Sequence, residues 1–299
     1  MATNQIDLES IIATMKAQAP HSDASLSGPT FQVSQGPQPE KRGVAGQTPH
    51  SGEVAFRVGV EGRRATAGLL ADPYASRLVY LDKPFLIWKP AQGGSAAQLI
   101  DSQIVPSNSW ARIKLYVEGS GGLSYSTTLG FYYLWTNESP DPVVINIDTT
   151  VVITGSCFVQ SGGRFFGGKT STVEANAFLQ PQRWFGWGTD PATGTSLDQT
   201  YLGILQQSQQ AAVVKLEAWG QWGLFAGATS VSRSFSYAPF DLTMKSLLVP
   251  GGASLVFNVG MYFNGETKGD TLQDQALIDF STQGAVFSPN VVLTLLMPA

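Results

Sequence analysis

Apolar and polar residues alternate with a period of two along most of the chain after Glu53. The alternation is plain in EVAFRVGV (53–60) and returns in ARIKLYV (111–117), so each stretch predicts a half-buried strand. Further strands are predicted at 76–81, 84–88, 128–136, 143–159, 212–219, 254–263, 274–280 and 290–297, separated by clusters of Gly, Pro, Asn and Asp. Strands and helices do not alternate, so the pattern predicts an all-β, antiparallel, jelly-roll-type β-sandwich over residues 53–299.

The first 52 residues follow a different pattern and are predicted to form an N-terminal arm. A short amphipathic helix is expected at about residues 5–18, because Asn4 can cap it and Pro20 follows it. The helix carries one apolar face, made of Leu8, Ile11, Ile12 and Met15. A helix of about four turns is marginal alone, so this face is predicted to dock on another subunit during assembly. Residues 20–52 are rich in Pro, Gly and Ser and predict a linker.

Composition narrows the chemistry that the chain is expected to perform. Charged residues make up 13% of the chain and the net charge is −4, which excludes nucleic-acid binding by basic excess. Both histidines, His21 and His50, fall in the arm, and the one cysteine, Cys157, lies in a predicted strand. We therefore predict no catalytic residues, no cofactor, no metal site and no enzymatic activity. The chain also lacks a secretory signal and a long apolar run, so no membrane partner is expected.

The segment GRFFGGKT fits the phosphate-loop pattern, with Gly163, Gly168, Lys169 and Thr170 at the defining positions. Such a loop binds phosphate where a parallel strand delivers it to a helix N-terminus. The residues after Lys169 are too few before Pro181 for a usual crossover helix, and their Thr and Val content suits a strand. We interpret the segment as a loop between sandwich strands.

Tryptophans cluster in WFGWG and AWGQWGLF. Core or interface packing is the common role of such residues, but exposed tryptophans also stack against sugar rings. The alternative function is therefore a carbohydrate-binding β-sandwich, an adhesin or appendage protein, whose stacking surface is formed by Trp184, Trp187, Trp219 and Trp222.

An amphipathic N-terminal helix, a polar arm and a weakly charged sandwich, taken in this order, resemble the jelly-roll coat protein of a small non-enveloped icosahedral virus. The arm lacks an Arg-rich stretch, so the resemblance is to coat proteins of the picorna-like or calici-like kind. The resemblance implies a structural coat protein that self-assembles, through sandwich sides and exchanged arms, into a closed icosahedral shell in many copies. It further implies co-assembly with related coat subunits, a genome packaged without a basic arm, a host receptor, synthesis in the host cytoplasm and location in the virion.

Overall fold

The computed structural model describes residues 12–13, 74–89, 96–119, 122–163, 170–185, 204–221, 227–268 and 273–298. The predicted strand at 53–60 and nearly all of the predicted arm, 1–52, lie outside these residues. Ile12 and Ala13 have helical backbone, which is too short a stretch to confirm the predicted helix at 5–18.

The described chain from Tyr74 onward is all-β, as predicted, and its strands form two antiparallel sheets. The large sheet contains β1 (Tyr74–Leu81), β3 (Ala97–Gln103), β4 (Ser109–Glu118), β6 (Val143–Ser161), β10 (Thr229–Val249), β12 (Gln275–Phe280), β13 (Val286–Ser288) and β14 (Val291–Pro298). The small sheet contains β2 (Leu86–Trp88), β5 (Leu123–Thr136), β7 (Thr170–Phe185), β8 (Ile204–Leu205), β9 (Gln209–Trp219) and β11 (Ser254–Thr267).

Strand β6 is the spine of the large sheet. It pairs with β10 along one edge and, in succession, with β14, β13 and β12 along the other. Strand β4 then pairs with β12 and β13, and β3 with β4. In the small sheet β11 lies between β5 and β7, and β7 pairs on its other side with β8 and β9. The order β4-β12-β6-β10 therefore faces the order β5-β11-β7-β9.

The core lies between the two sheets and follows from the period-two pattern. Every second residue of β11 is fully buried against the large sheet, as Leu255, Phe257 and Val259 illustrate. From β5, the buried Tyr133 hydroxyl donates a hydrogen bond to the Ser288 carbonyl at 2.9 Å and lies 2.9 Å from the Ser288 hydroxyl. The sheets are thus joined by apolar packing and by a buried polar link at one end.

Gly155 marks the point where β6 changes partners from β13 to β12. Its φ is +131°, and a Cβ there would lie 2.4 Å from the Asp279 carbonyl oxygen. Only glycine fits both conditions, so this residue lets two short strands share one long neighbour.

Candidate interaction faces

An apolar patch covers the outer face of the small sheet, on the side away from the core. We call it the docking patch, and it consists of buried Leu86, Tyr132 and Val256 with half-buried Phe85, Trp88 and Leu134. Strand register builds it, because Leu86 pairs with Tyr132 and Leu134 pairs with Val256. The rings of Phe85 and Trp88 lie 6.4 and 6.2 Å from that of Tyr132, in tilted contact. The apolar residues of β5 and β11 thus face both the core and this patch.

The N-terminal residue Ile12 packs against the docking patch and is half-buried there, whereas its neighbour Ala13 is exposed. Sequence reasoning assigned Ile12 to an apolar face that binds another subunit; in the structure it contacts the small sheet of its own chain. The other three residues of that predicted face, Leu8, Ile11 and Met15, lie outside the described residues.

A glycine pair beside the patch makes room for a buried polar group. Gly130 and Gly260 are register partners on β5 and β11, and a Cβ on Gly130 would lie 2.3 Å from Asn258 Oδ1. Burial raises the pKa of Tyr132, and a hydrogen bond with Asn258 lowers it in part, so the phenol stays neutral. Among the described residues no donor reaches the buried Asn258 Oδ1.

The outer face of the large sheet carries two apolar rows, which we call the large-sheet rows. The central row crosses four strands and consists of Trp110, Phe287, Val152 and Pro239. The terminal row crosses three strands and consists of Leu296, Val144 and Leu248. The Arg112 guanidinium lies 5.1 Å above the Trp110 ring, and the Tyr237 ring lies 6.4 Å from that of Phe287. Leu248 is 56% exposed, so the terminal row faces solvent.

Between the large-sheet rows lie polar pairs. Thr150 Oγ1 donates to Asp241 Oδ1 and Thr243 Oγ1 donates to Asp148 Oδ1, each at 2.7 Å. These carboxylates therefore accept hydrogen bonds from neighbouring strands, and the outer face alternates apolar and polar rows.

Strand β10 borders these rows at the edge of the sheet and has two bulges, between Phe235 and Ala238 and between Met244 and Leu247. Each bulge holds a non-glycine residue with positive φ: Tyr237 at 58° and Ser246 at 60°. Bulges increase local twist, and together with Pro239 they hinder the addition of another strand to this edge.

The predicted tryptophan platform stays a prediction, since Trp184 and Trp219 are the two of its four members that the structure describes. Trp219 pairs with Thr170 at the start of β7, whereas Trp184 lies near the end of that strand. Fourteen residues of strand separate them, roughly 45 Å at about 3.3 Å per residue. Trp219 is exposed at 62%, and Trp187 and Trp222 lie outside the described residues.

The structure places the phosphate-loop segment between two strands of the sandwich, β6 and β7, as interpreted from the sequence. Residues 164–169 lie outside the described residues, but Thr170 begins β7, which runs antiparallel to both β9 and β11. A helix N-terminus, which would present backbone N–H groups to phosphate, does not follow this loop.

The described part of the chain contains no candidate metal cluster. No group of three or more His, Cys, Asp or Glu residues is placed there to hold a metal ion. Burial raises the pKa of the Cys157 thiol to about 12, and the Arg233 charge lowers it in part, so the thiol stays protonated. Asp279 accepts hydrogen bonds from Ser281 and Thr282 in the turn after β12. Within the described ranges no helix is both long and apolar enough to cross a membrane.

Comparisons with known proteins do not assign the chain to a family. No protein-family model matches the chain, and no curated protein matches it. Two crystal structures of a CocE/NonD family hydrolase from Staphylococcus aureus do match. The first is 7% identical, with 81% of this chain and 46% of that chain covered and a TM-score of 0.23. The second is 10% identical, with 66% and 41% covered and a TM-score of 0.20. This chain therefore spans less than half of the hydrolase.

These findings correct two predictions made from the sequence. These two solved structures are of an enzyme and not of a viral coat, so the coat-protein function and the prediction of a non-enzymatic chain are both wrong on this comparison. At such TM-scores the hydrolase activity belongs to that protein and is not carried over to this one. The resemblance to coat proteins, with its virion location, genome and receptor, stays an interpretation of sequence texture.

Proposed function

We propose that the chain is a jelly-roll subunit that binds copies of itself. The strand order supports the jelly roll. Along the chain, β4 lies in the large sheet, β5 in the small, β6 in the large, β7 and β9 in the small, β10 in the large, β11 in the small and β12 in the large. Within the sheets these strands lie in the orders β4-β12-β6-β10 and β5-β11-β7-β9. This is the arrangement that two interlocked Greek keys produce.

The observation that carries self-association is the pair of large-sheet rows. A monomer seldom presents contiguous apolar rows on the outer face of a sheet, whereas isolated apolar side chains at a surface are ordinary. Trp110 and Val152 are only 4% exposed, so the accessible members include Phe287 and Pro239 in the central row and Leu248 in the terminal row. Phe287 is aromatic, and aromatic residues are enriched where proteins bind one another. The chain also has few charges, which suits a surface that a partner covers.

The geometry of β10 limits how a second copy binds. Two bulges and Pro239 hinder continuous backbone pairing along this edge. Association therefore proceeds through side chains, with the solvent-facing Leu248 of the terminal row among the contacts. The predicted amphipathic helix at residues 5–18 is part of the proposed fold, and helical backbone at Ile12 and Ala13 supports it.

Sedimentation of the full chain tests the proposal, with Leu248→Asp as the disrupting variant and Leu205→Asp as its matched control. Leu205 lies on β8 of the small sheet and is 48% exposed, close to the 56% of Leu248. We expect wild type and Leu205→Asp to sediment well above the 31.9 kDa monomer. Leu248→Asp should require at least about tenfold higher concentration for the same mass, because a charge is costly in an apolar contact. A monomeric wild type at about 100 μM, a weak affinity on the usual scale, would overturn the proposal. Equal masses for the two variants would do so as well.

A further inference from the structure

The docking patch is covered although it lies on an outer sheet face. Val256 is fully buried, and Leu86 and Tyr132 are nearly so, which is unusual for side chains that point away from the core. The patch itself is built from β2, β5, β11 and the turn at Phe85. Among the described residues from elsewhere in the chain, Ile12 packs on it. The cover therefore includes the N-terminal segment.

We infer that the docking patch is the binding surface for the chain's own N-terminal segment, residues 5–18, and that this segment acts as a strap over β2. The inference rests on the helix proposed above for these residues, but not on self-association. In a helix Leu8, Ile11, Ile12 and Met15 share a face, so the residue seen on the patch brings an apolar stripe with it. The receiving surface is aromatic and aliphatic, which matches that stripe.

Strand β2 is the element that the strap stabilises. It has only three residues, lies at the edge of the small sheet and pairs with β5 alone among the described strands. The Phe85 N–H donates to the Tyr132 carbonyl at 2.8 Å, and Leu86 and Trp88 reach the patch from this strand. So short an edge strand opens easily unless its outer side chains are packed.

Tethering favours docking within one chain over docking on a neighbour. Residues 14–73 join the segment to β1 of the same chain, a covalent connection of sixty residues. This connection makes docking on the chain's own patch an intramolecular event, which raises the effective concentration of the segment there without any new contact. At micromolar protein concentration the chain's own segment therefore outcompetes a segment from another copy.

Hydrogen–deuterium exchange of the full chain tests the strap, with Ile12→Asp compared with Ile100→Asp. Ile100 lies on β3 of the large sheet, is 49% exposed and undergoes the same chemical change away from the patch. We expect exchange at Phe85 and through β2 to rise at least about tenfold in Ile12→Asp, since the apolar contact of Ile12 is lost and a charge is placed on an apolar surface. Ile100→Asp should exchange there as wild type does.

Two outcomes would overturn the inference. Exchange in β2 that is unchanged by Ile12→Asp would show that the segment does not cover the patch. If the protection of β2 and the sedimenting mass both decreased on dilution, this would show that a second copy supplies the segment. Protection that persists in a purely monomeric protein would support the strap while refuting self-association, so the two proposals fail separately.

Discussion

The Asp279 carboxylate should make the stability of the sandwich depend on pH. Asp279 is the penultimate residue of β12, and its two oxygens accept four hydrogen bonds of 2.6 to 3.0 Å from the backbone and hydroxyl groups of Ser281 and Thr282. Burial raises the pKa of this carboxyl, but the hydrogen bonds from Thr282 and Ser281 outweigh that effect and lower it from 3.8 to about 2. The turn thus stabilises the ionised form, and Asp279→Asn should remove that contribution.

The magnitude follows from linkage between protonation and folding. A pKa lowered by about 1.8 units corresponds to roughly 2.4 kcal/mol at 1.36 kcal/mol per unit. The carboxylate is half-buried and still in contact with solvent, so screening reduces the contribution to about 1 kcal/mol. Because the folded pKa is the lower one, this stability is present above about pH 3.8 and disappears as the pH falls towards about 2.

Urea unfolding of wild type and Asp279→Asn, measured from about pH 7 down to about pH 2, checks the reasoning. The wild type should be about 1 kcal/mol more stable at neutral pH, and the two curves should converge near pH 2. A stability difference that stays constant over this range would refute it, since a pH-independent loss cannot come from the carboxylate's ionisation.

Three further predictions concern the core. Gly155→Ala should lower the free energy of unfolding by at least about 3 kcal/mol, because the alanine Cβ meets the Asp279 carbonyl oxygen. Gly252→Ala is the control, since Gly252 also has positive φ but an added Cβ meets nothing within 4 Å, and it should cost only about 1 kcal/mol. Equal costs in urea unfolding would contradict this reasoning. Tyr133→Phe should cost about 1 to 3 kcal/mol by removing the buried hydrogen bond to the Ser288 carbonyl. Tyr116→Phe, whose exposed hydroxyl bonds Glu118, should change stability little, and thermal denaturation of both variants distinguishes them. Cys157 is buried with a raised pKa, so it should react with a thiol reagent only on unfolding; rapid labelling of the native chain would contradict its placement.

Where alternation is regular, the sequence predicts the sandwich well. Strands β5, β6 and β11 lie where their apolar patterns indicate, because one face of each packs on the core. Strand β10 was missed for a physical reason. Pro239 and several serines weaken its pattern, and two bulges shift the phase of the alternation twice along its length.

The docking patch was not predicted, although the sequence contains a sign of it. The runs FYYLW (131–135) and LVFNV (255–259) are apolar at nearly every position, which indicates strands covered on both faces. Which segment provides the cover depends on long-range packing, and periodicity does not encode that. For the same reason local clustering of tryptophans did not predict that Trp184 and Trp219 lie at opposite ends of β7.

Chemical cross-linking at Leu248 tests the central claim most directly, namely that copies meet through the large-sheet rows. The full chain with Leu248→Cys is treated with a short bifunctional thiol reagent, beside a control with Leu205→Cys. The native Cys157 is buried and does not compete. We predict that Leu248→Cys yields a covalent dimer of twice 31.9 kDa that still forms after dilution before cross-linking, while Leu205→Cys stays at the monomer mass. Equal cross-linking at both positions, or none at Leu248→Cys, would contradict the account.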